Sequence, residues 1–323
     1  MIAVQGIDSK GVNIRVAPLL ESDLPDADRV FRVAFGTFLG LPDPGQFYAS
    51  ADYVRTRWRA GPSSAFAAKM DGQLIGSVFA AKWGSVGFFG PLTVRPDYWD
   101  KGVGKSLLEP TMDLFREWDI RHAGLFTFAQ STKHVALYQK FGFWPRYLTA
   151  IMSKPVSAIA GPAIARYGAL DEGAWEKCLA ACNALTGAIL EGLSVEWEIS
   201  AVSSQQLGDT VLVWDDGRLA GFGVCHCGEG TEAGQGSCYV KFGAAQPGPG
   251  AGNAFDQLLK ACEHYAATRG LSRLVAGVNV ARHAAYRRLL EAGFRTDLQG
   301  VAMQKPNEAG YNRPDVFLID DWR

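Results

Sequence analysis

The sequence predicts two tandem α/β domains, each with a mixed, mostly antiparallel sheet flanked by helices. Its 323 residues exceed what one hydrophobic core usually organises, so two domains are expected. Predicted helices and strands follow the same order in both halves. A Gly-x-Gly recurs at Gly102 and Gly250, 148 residues apart, and a Gly-Phe recurs at Gly142 and Gly293, 151 residues apart. A period this long is typical of a duplicated domain and not of a solenoid.

In the N-terminal half, strand patterns alternate with helical patterns. Period-two alternation predicts strands, apolar residues three and four apart predict helices, and Gly/Pro clusters mark their ends. Asp71-Gly72 predicts a tight hairpin between two of the strands. In order, we expect a strand at 12–16, a helix from 22 or 23 to about 39, a helix at 46–59, strands at 64–70, 73–81 and 86–94, a helix at 102–118, a strand at 125–128, a helix at 133–141 and a strand at 147–152.

The C-terminal half repeats this order after a segment rich in proline and glycine. That segment predicts a domain boundary at 154–161. We therefore assign 1–154 to an N-terminal domain, 162–305 to a C-terminal domain and 306–323 to a tail. In order, we expect a strand at 163–167, a helix at 172–183, strands at 210–214, 219–227 and 237–242, a helix at 252–268, a strand at 274–278, a helix that ends at 291 and a strand at 295–304.

Composition and charge exclude several classes of partner. The 32 basic and 33 acidic side chains give a net charge of −1, which offers no positive surplus for nucleic acid. No apolar run has the length of a membrane span and the first ten residues lack a secretory signal, so we expect a cytoplasmic protein without a membrane partner. The six cysteines lack disulfide or zinc spacing, and on a strand Cys225 and Cys227 would face away from His226. We therefore expect reduced thiols and no metal site.

One glycine-rich segment indicates a ligand site. Gly102 and Gly104 join the strand that ends at Val94 to an amphipathic helix. Because glycine has no side chain, a ligand can approach this turn closely, and free amides at a helix start bind anions such as a pyrophosphate. A nucleotide P-loop would need glycine in place of Trp99, and a dinucleotide fingerprint would need glycine in place of Leu107, so neither motif is present. A glycine-containing helix start without a ligand is the alternative.

A second segment supports the ligand interpretation. Residues 131–143 predict a short helix that carries Tyr138 and ends at Gly142. The order of strand, glycine turn, helix, strand, tyrosine helix and Gly-Phe resembles the GNAT acetyltransferase family, and it covers nearly the whole chain as two tandem copies. The resemblance implies a pair of acyl-CoA N-acyltransferase-like domains, with acetyl-CoA as the acyl donor of the N-terminal one.

The resemblance also implies roles for individual residues. Tyr138 would protonate the departing thiolate of CoA, and packing against the sheet is its alternative role. By this resemblance, the pantetheine of acetyl-CoA pairs with the backbone of Leu92, Thr93 and Val94, which also polarises the thioester carbonyl. The amides implied to hold the pyrophosphate of acetyl-CoA belong to Lys101, Gly102, Val103, Gly104, Lys105 and Ser106. Three residues depart from the family pattern. Trp99 stands where the family has Gln or Arg, Ser131 stands where it has Asn, and His134 stands where it has Ala.

The C-terminal copy departs further from this pattern. Leu289 stands at the position of Tyr138, and leucine cannot donate a proton. Tyr286 lies about one helical turn earlier, where packing explains it better than catalysis. Pro247 and Pro249, on either side of Gly248 in the corresponding loop, lack amide hydrogens. We therefore expect a catalytic N-terminal domain and a C-terminal domain that has become structural.

The acceptor site is less well defined by the sequence. Asp97 is a weak candidate for the general base, and the apolar tail at 315–323 either packs back on a domain or binds another subunit. Most aromatic residues at helical spacing belong to the core. Those that are candidates for lining an acceptor pocket are Phe35, Phe38, Phe47, Tyr48, Trp58 and Trp83.

The sequence thus predicts transfer of an acetyl group from acetyl-CoA to an amine of a small molecule or peptide, with no nucleic acid and no membrane as partner. Two alternatives remain open. One is a non-catalytic acyl-CoA sensor or structural module, and the other is acyl transfer to a hydroxyl or from a longer acyl chain. Neither the acceptor nor the oligomeric state follows from the sequence.

Overall fold

The N-terminal half alternates strands and helices in the predicted order. The computed structural model describes residues 4–7, 13–157 and 164–323 of the chain. The predicted helix at 46–59 begins only at Tyr53, because the Asp52 side chain caps it by accepting a hydrogen bond from the Arg55 amide (2.8 Å). The elements are β1 (Val4–Ile7), β2 (Asn13–Pro18), α1 (Leu24–Phe38), α2 (Tyr53–Ala60), β3 (Ala65–Met70), β4 (Gln73–Trp83), β5 (Val86–Val94), α3 (Val103–Glu117), β6 (His122–Thr127), α4 (Thr132–Gln139) and β7 (Trp144–Pro155).

The C-terminal half repeats the order from β2 to β7, with α5 and α6 in the places of α1 and α2, and then adds β14. Position 12, position 163 and the second half of the predicted boundary at 154–161, residues 158–161, lie outside the described residues, so the division into 1–154 and 162–305 stays a prediction. The sequence patterns did not predict β1, α6 or β14. The elements are β8 (Ala165–Arg166), α5 (Glu172–Ile189), α6 (Glu196–Ser204), β9 (Gly208–Asp215), β10 (Arg218–Gly228), β11 (Gly234–Ala245), α7 (Ala251–Thr268), β12 (Arg273–Asn279), α8 (His283–Glu291), β13 (Arg295–Lys305) and β14 (Leu318–Ile319).

The two halves share one 14-stranded sheet and exchange strands within it. Its order is β1-β2-β3-β4-β5-β6-β13-β7-β12-β11-β10-β9-β8, with β14 paired to β11. β13 lies between β6 and β7, whereas β7 lies between β13 and β12. Each half therefore completes its part of the sheet with the last long strand of the other half. Among the described strands, the parallel pairs are β5 with β6 and β11 with β12, so the predicted mixed, mostly antiparallel sheet is confirmed.

The helices cover the sheet through the apolar stripes that predicted them. Leu107 and Leu108 of α3 are fully buried, as are Phe255 and Leu258 of α7. Each such burial contributes about 1.5–3 kcal/mol. A third core joins the halves, where Trp83 and its neighbours on β4 and β5 pack against β10, β11 and α5. No helix in the described ranges is long and apolar enough to cross a membrane.

Candidate functional site

A cleft opens in the sheet where β5 and β6 separate. These parallel strands pair only over residues 86–88 of β5 and 122–124 of β6. Beyond Phe88 the gap widens into a cleft of about 750 Å³, whose walls come from α1, the start of α3, α4 and the C-terminal tail. This volume suits a cofactor-sized or drug-sized ligand.

The glycine turn places free backbone donors at one end of the cleft. Gly102 has a left-handed conformation (φ 78°) directly before α3, which a side chain would disfavour. The Ser106 amide donates to the Gly102 carbonyl (3.1 Å), so the amides of Val103, Gly104 and Lys105 have no acceptor within the helix. Free amides at the positive end of a helix dipole are the kind of donors that bind anions.

The turn also lies tightly between α4 and β5. A Cβ atom added to Gly104 would come within 3.3 Å of Leu137 Cδ2 and 3.7 Å of Leu92 Cδ2. The predicted cradle residues that line the cleft are Gly102, Val103, Gly104 and Lys105. Lys101 and Ser106 do not line it: the ammonium of Lys101 lies over the ring of Tyr98 (4.8 Å), and the Ser106 amide is used within the helix.

The edge of β5 that faces the cleft presents unpaired backbone groups. The Arg95 amide donates to the Ile75 carbonyl on β4 (2.8 Å). Because bonding direction alternates along an antiparallel strand, Thr93 also turns its backbone towards β4, whereas Leu92 and Val94 face the cleft. The indole of Trp99 donates to the Val94 carbonyl (2.7 Å), which occupies one acceptor on this edge. The structure therefore places Leu92 and the Val94 amide where a ligand can pair with them.

Tyr138 presents its hydroxyl to the same cleft. Its ring is buried in the N-terminal core, 5.7 Å from that of Phe89 between centroids. The hydroxyl has no hydrogen-bond partner among the described residues, and Tyr138 lines the cleft. Burial raises the pKa of Tyr138, so the hydroxyl is protonated at neutral pH and able to donate.

Two further residues of α4 lie at the edge of the cleft. Lys133 Nζ is 2.6 Å from Asp100 Oδ1 and lies over the ring of Trp99 (5.7 Å). His134 lies one turn before Tyr138 and packs on Phe38, with 5.3 Å between ring centroids. Burial, and then the charge of Lys133, lower the pKa of His134 below 6.5, so its imidazole is neutral at pH 7.

The aromatic candidates for the acceptor pocket divide into two groups. Phe35, Phe38, Phe47 and Tyr48 line the cleft. Two candidates were wrong. Trp58 turns away and donates its indole N–H to the Leu19 carbonyl (2.9 Å), and Trp83 packs in the core between the halves, 5.3 Å from Phe242.

The cleft also contains residues that sequence reasoning missed. The tail packs back on the chain through β14, and its Trp322 and Arg323 line the cleft. Trp322 donates its indole N–H to the Tyr311 hydroxyl (2.8 Å). The apolar pattern at 315–323 indicated packing. It did not indicate where the tail packs, because contacts between residues well over 200 positions apart leave no pattern in the sequence.

A buried ion network links the cleft to the C-terminal half. Glu232 accepts hydrogen bonds from both Arg57 (2.8 and 2.9 Å) and Lys241 (2.8 Å), and Lys241 is 2.9 Å from Glu198. Burial raises the pKa of Glu232, but the charges of Arg57 and Lys241 lower it by more. Arg57 also donates to the carbonyl of Gly90, beside the cleft. A cross-half ion pair thus holds β5 at the point where the cleft begins.

The corresponding region of the C-terminal half is filled. Gly250, before α7, has a right-handed conformation (φ −88°). A Cβ atom on Gly252 would come within 2.8 Å of Arg288 Nη2 and 3.5 Å of Phe317 Cζ, so side chains occupy the space beside this turn. Leu289, at the position of Tyr138, is fully buried.

The cysteines pack as thiols within the C-terminal core. Cys225 and Cys262 have sulfurs 3.9 Å apart, and Cys227 and Cys238 have sulfurs 3.7 Å apart. No cluster of three or more His, Cys, Asp or Glu side chains suited to a metal ion occurs in the described part of the chain.

The comparisons with known proteins agree on one fold. The sequence profile of the acetyltransferase (GNAT) family matches residues 31–143, which include the glycine turn and Tyr138. No curated protein matches the chain. A solved structure of a candidate acetyltransferase from Pyrococcus horikoshii is similar over 96% of this chain and 95% of that chain, with a TM-score of 0.67 and 12% identity. A GCN5-related N-acetyltransferase from Sphaerobacter thermophilus is similar over 90% of this chain and 95% of that one, with a TM-score of 0.58 and 16% identity.

A fungal protein extends this comparison. The glucosamine N-acetyltransferase region of a multi-domain GH3 β-N-acetylglucosaminidase is similar over 91% of this chain and 38% of that chain, with a TM-score of 0.62 and 16% identity. At these identities the solved structures show the fold alone.

Proposed function

We propose that this protein transfers the acetyl group of acetyl-CoA to an amine in the cleft between β5 and β6, since the profile of the acetyltransferase (GNAT) family matches residues 31–143. The observation that supports this most is the convergence of three features on one cleft. They are the free amides at the start of α3, the open edge of β5 and the unpartnered hydroxyl of Tyr138.

Each feature has a role in the proposed reaction. The amides of Val103, Gly104 and Lys105 bind the pyrophosphate of acetyl-CoA, and Leu92 with the Val94 amide pairs with its pantetheine. The neutral amine attacks the thioester carbon, so a C–N bond forms and the C–S bond breaks. The departing thiolate takes the proton of Tyr138. The amine releases its proton to solvent, and Tyr138 regains one from solvent.

For the C-terminal half we propose a structural role. Its turn lacks the left-handed glycine, and the Ala251 amide at the start of α7 donates to the Gly248 carbonyl (3.0 Å). Leu289 replaces the tyrosine, and Arg288 and Phe317 fill the adjoining space. Glu232 and the tail meanwhile reach the N-terminal cleft. This half therefore supports the working cleft and does not bind a second acyl-CoA.

The proposed function is tested by steady-state kinetics with acetyl-CoA and a panel of amines, read as release of free CoA thiol. Tyr138→Phe should lower kcat by about 10²-fold while the affinity for acetyl-CoA stays unchanged, because only proton donation is lost. Tyr286→Phe is the matched control in the C-terminal half and should leave kcat unchanged. Binding of acetyl-CoA without amine-dependent thiol release from any acceptor would contradict the enzyme and favour an acyl-CoA sensor.

A further inference from the structure

The end of the cleft away from the glycine turn is aromatic and contains a partly buried cation. Phe47, Tyr48 and Tyr53 line it together with Trp322 and Arg323. Among the described residues, the acidic side chain that lines the cleft is that of Asp100, which belongs to the glycine turn and pairs with Lys133. A polyamine or a lysine side chain would therefore find a guanidinium at the acceptor end and no carboxylate side chain.

The guanidinium of Arg323 is fixed in position, but its terminal N–H groups have no hydrogen-bond acceptor among the described residues. Its side chain is 13% exposed and lies over the ring of Tyr239, 4.2 Å from the centroid. Nε lies 3.3 Å from Asp321 Oδ2. The hydrogen bonds of Arg323 use its backbone: the amide donates to Asp321 Oδ1 (3.1 Å), and the carbonyl accepts from Arg57. Neither terminal guanidinium nitrogen has a partner among the described residues.

The residues around Arg323 fix its position before any ligand arrives. The Asp321 side chain is fully buried and accepts a hydrogen bond from the Tyr239 hydroxyl (3.0 Å). Trp322 is anchored through Tyr311, and the preceding residues form β14 on the sheet. A guanidinium immobilised in this way loses little side-chain entropy when it binds an anion. Its planar pair of terminal nitrogens matches the two oxygens of a carboxylate.

We propose that Arg323 binds a carboxylate of the acceptor, and that the acceptor is an amine whose apolar or aromatic body carries that carboxylate. The aromatic side chains around Arg323 pack against the body of the acceptor. Its amine then lies towards Tyr138 and the thioester. This inference rests on the proposed acetyl transfer and adds the chemical class of the acceptor to it.

The test is a calorimetric titration of the full chain, saturated with CoA, with two probes of similar size and shape. 3-Phenylpropionate carries the carboxylate alone and phenethylamine carries the amine alone. We expect 3-phenylpropionate to bind at least about tenfold more tightly, and Arg323→Gln to weaken it by at least about tenfold. Arg323→Lys keeps the charge and should lose less. Arg218→Gln, an exposed arginine on β10, is the matched control and should change nothing.

The outcomes separate this inference from the proposed function. Equal affinity for the two probes, or unchanged 3-phenylpropionate affinity in Arg323→Gln with a native circular dichroism spectrum, would overturn it. A protein that binds CoA but no 3-phenylpropionate at 10 mM probe, about the limit for a weak fragment, would also overturn it. A protein that does not bind CoA would contradict the proposed function itself, and the acceptor class would fall with it.

Discussion

β5 and β11 hold equivalent places in the two halves, but their edges differ. The Arg95 amide bonds across to Ile75, and the Gln246 amide bonds in the same way to Ala220, which makes Val94 and Ala245 equivalent. On β5 the edge beyond Phe88 faces an open cleft. On β11 the Ala245 amide donates to the Phe317 carbonyl (3.0 Å), and β14 pairs with residues 243 and 244. The tail thus occupies in one half the edge that a ligand is proposed to use in the other.

The difference shows how one fold unit serves two purposes. The C-terminal half keeps the strand order and the glycine turn but covers its strand edge with a segment of the same chain. That segment continues to Trp322 and Arg323, which line the cleft of the N-terminal half. A filled site in one half therefore positions side chains in the open site of the other.

The largest effect is expected where the two halves meet. Glu232→Ala leaves Arg57 buried without its carboxylate and Lys241 with Glu198 alone, which should lower the free energy of unfolding by about 3–5 kcal/mol. Urea denaturation measures this change. Glu229→Ala, at an exposed glutamate three residues earlier, should stay within about 0.5 kcal/mol. A small effect of Glu232→Ala would mean that the ion pair does not hold the halves together.

Weakening the packing of β14, which pairs with the edge of β11, is expected to have the next largest effect. Leu318 is fully buried on β14, so Leu318→Ala should lower the free energy of unfolding by about 3 kcal/mol, whereas Leu290→Ala at a partly exposed position should change it little. The number of acetyl-CoA sites should stay at one, because the Ala251 amide still donates to the Gly248 carbonyl and Arg288 still fills the space beside the turn. A second site in Leu318→Ala would show instead that the tail alone closes it.

Acid should weaken the C-terminal end of the buried ion network, where Glu198 lies 2.9 Å from Lys241. Burial raises the pKa of Glu198, but the charge of Lys241 (2.9 Å away) and then the proximity of His226 (3.6 Å) lower it to about 2, against 4.5 for the free side chain. Its stabilisation is therefore present above about pH 4.5 and is lost as the pH falls towards about 2, by on the order of 2 kcal/mol.

Urea denaturation between pH 6 and pH 3 measures this loss. Glu198→Gln should flatten the profile, and an unchanged slope would contradict the assignment. Asp320 acts in the opposite direction, because burial raises its pKa.

The smallest effect concerns Trp99, one of the three residues that depart from the family pattern. Its indole occupies the Val94 carbonyl on the open edge of β5. Trp99→Gln frees this acceptor for pantetheine, so the affinity for acetyl-CoA should rise by about threefold or less, worth under 1 kcal/mol. A large loss of affinity would show that Trp99 itself contacts the ligand.

Local patterns in the sequence predicted most elements and the centre of the site. The glycine turn, the amphipathic α3 and the helix with Tyr138 are each encoded within about 20 residues, so propensity and spacing reveal them. The exchange of β7 and β13 was not predictable, because strand patterns specify a strand and a face but not a neighbour. Arg57, Glu232 and Arg323 were missed for a related reason, since contacts across 175 and 266 residues leave no periodic signal.

The central claim is that the N-terminal half alone binds acetyl-CoA, and calorimetric titration with acetyl-CoA tests it most directly through stoichiometry. The account predicts one site per chain. Gly104→Asp should abolish it by placing a carboxylate against Leu137 and among the anion-binding amides, whereas Gly250→Asp, where a Cβ meets nothing within 4 Å, should leave it intact. Two sites per chain, or a single site lost in Gly250→Asp and kept in Gly104→Asp, would contradict the account.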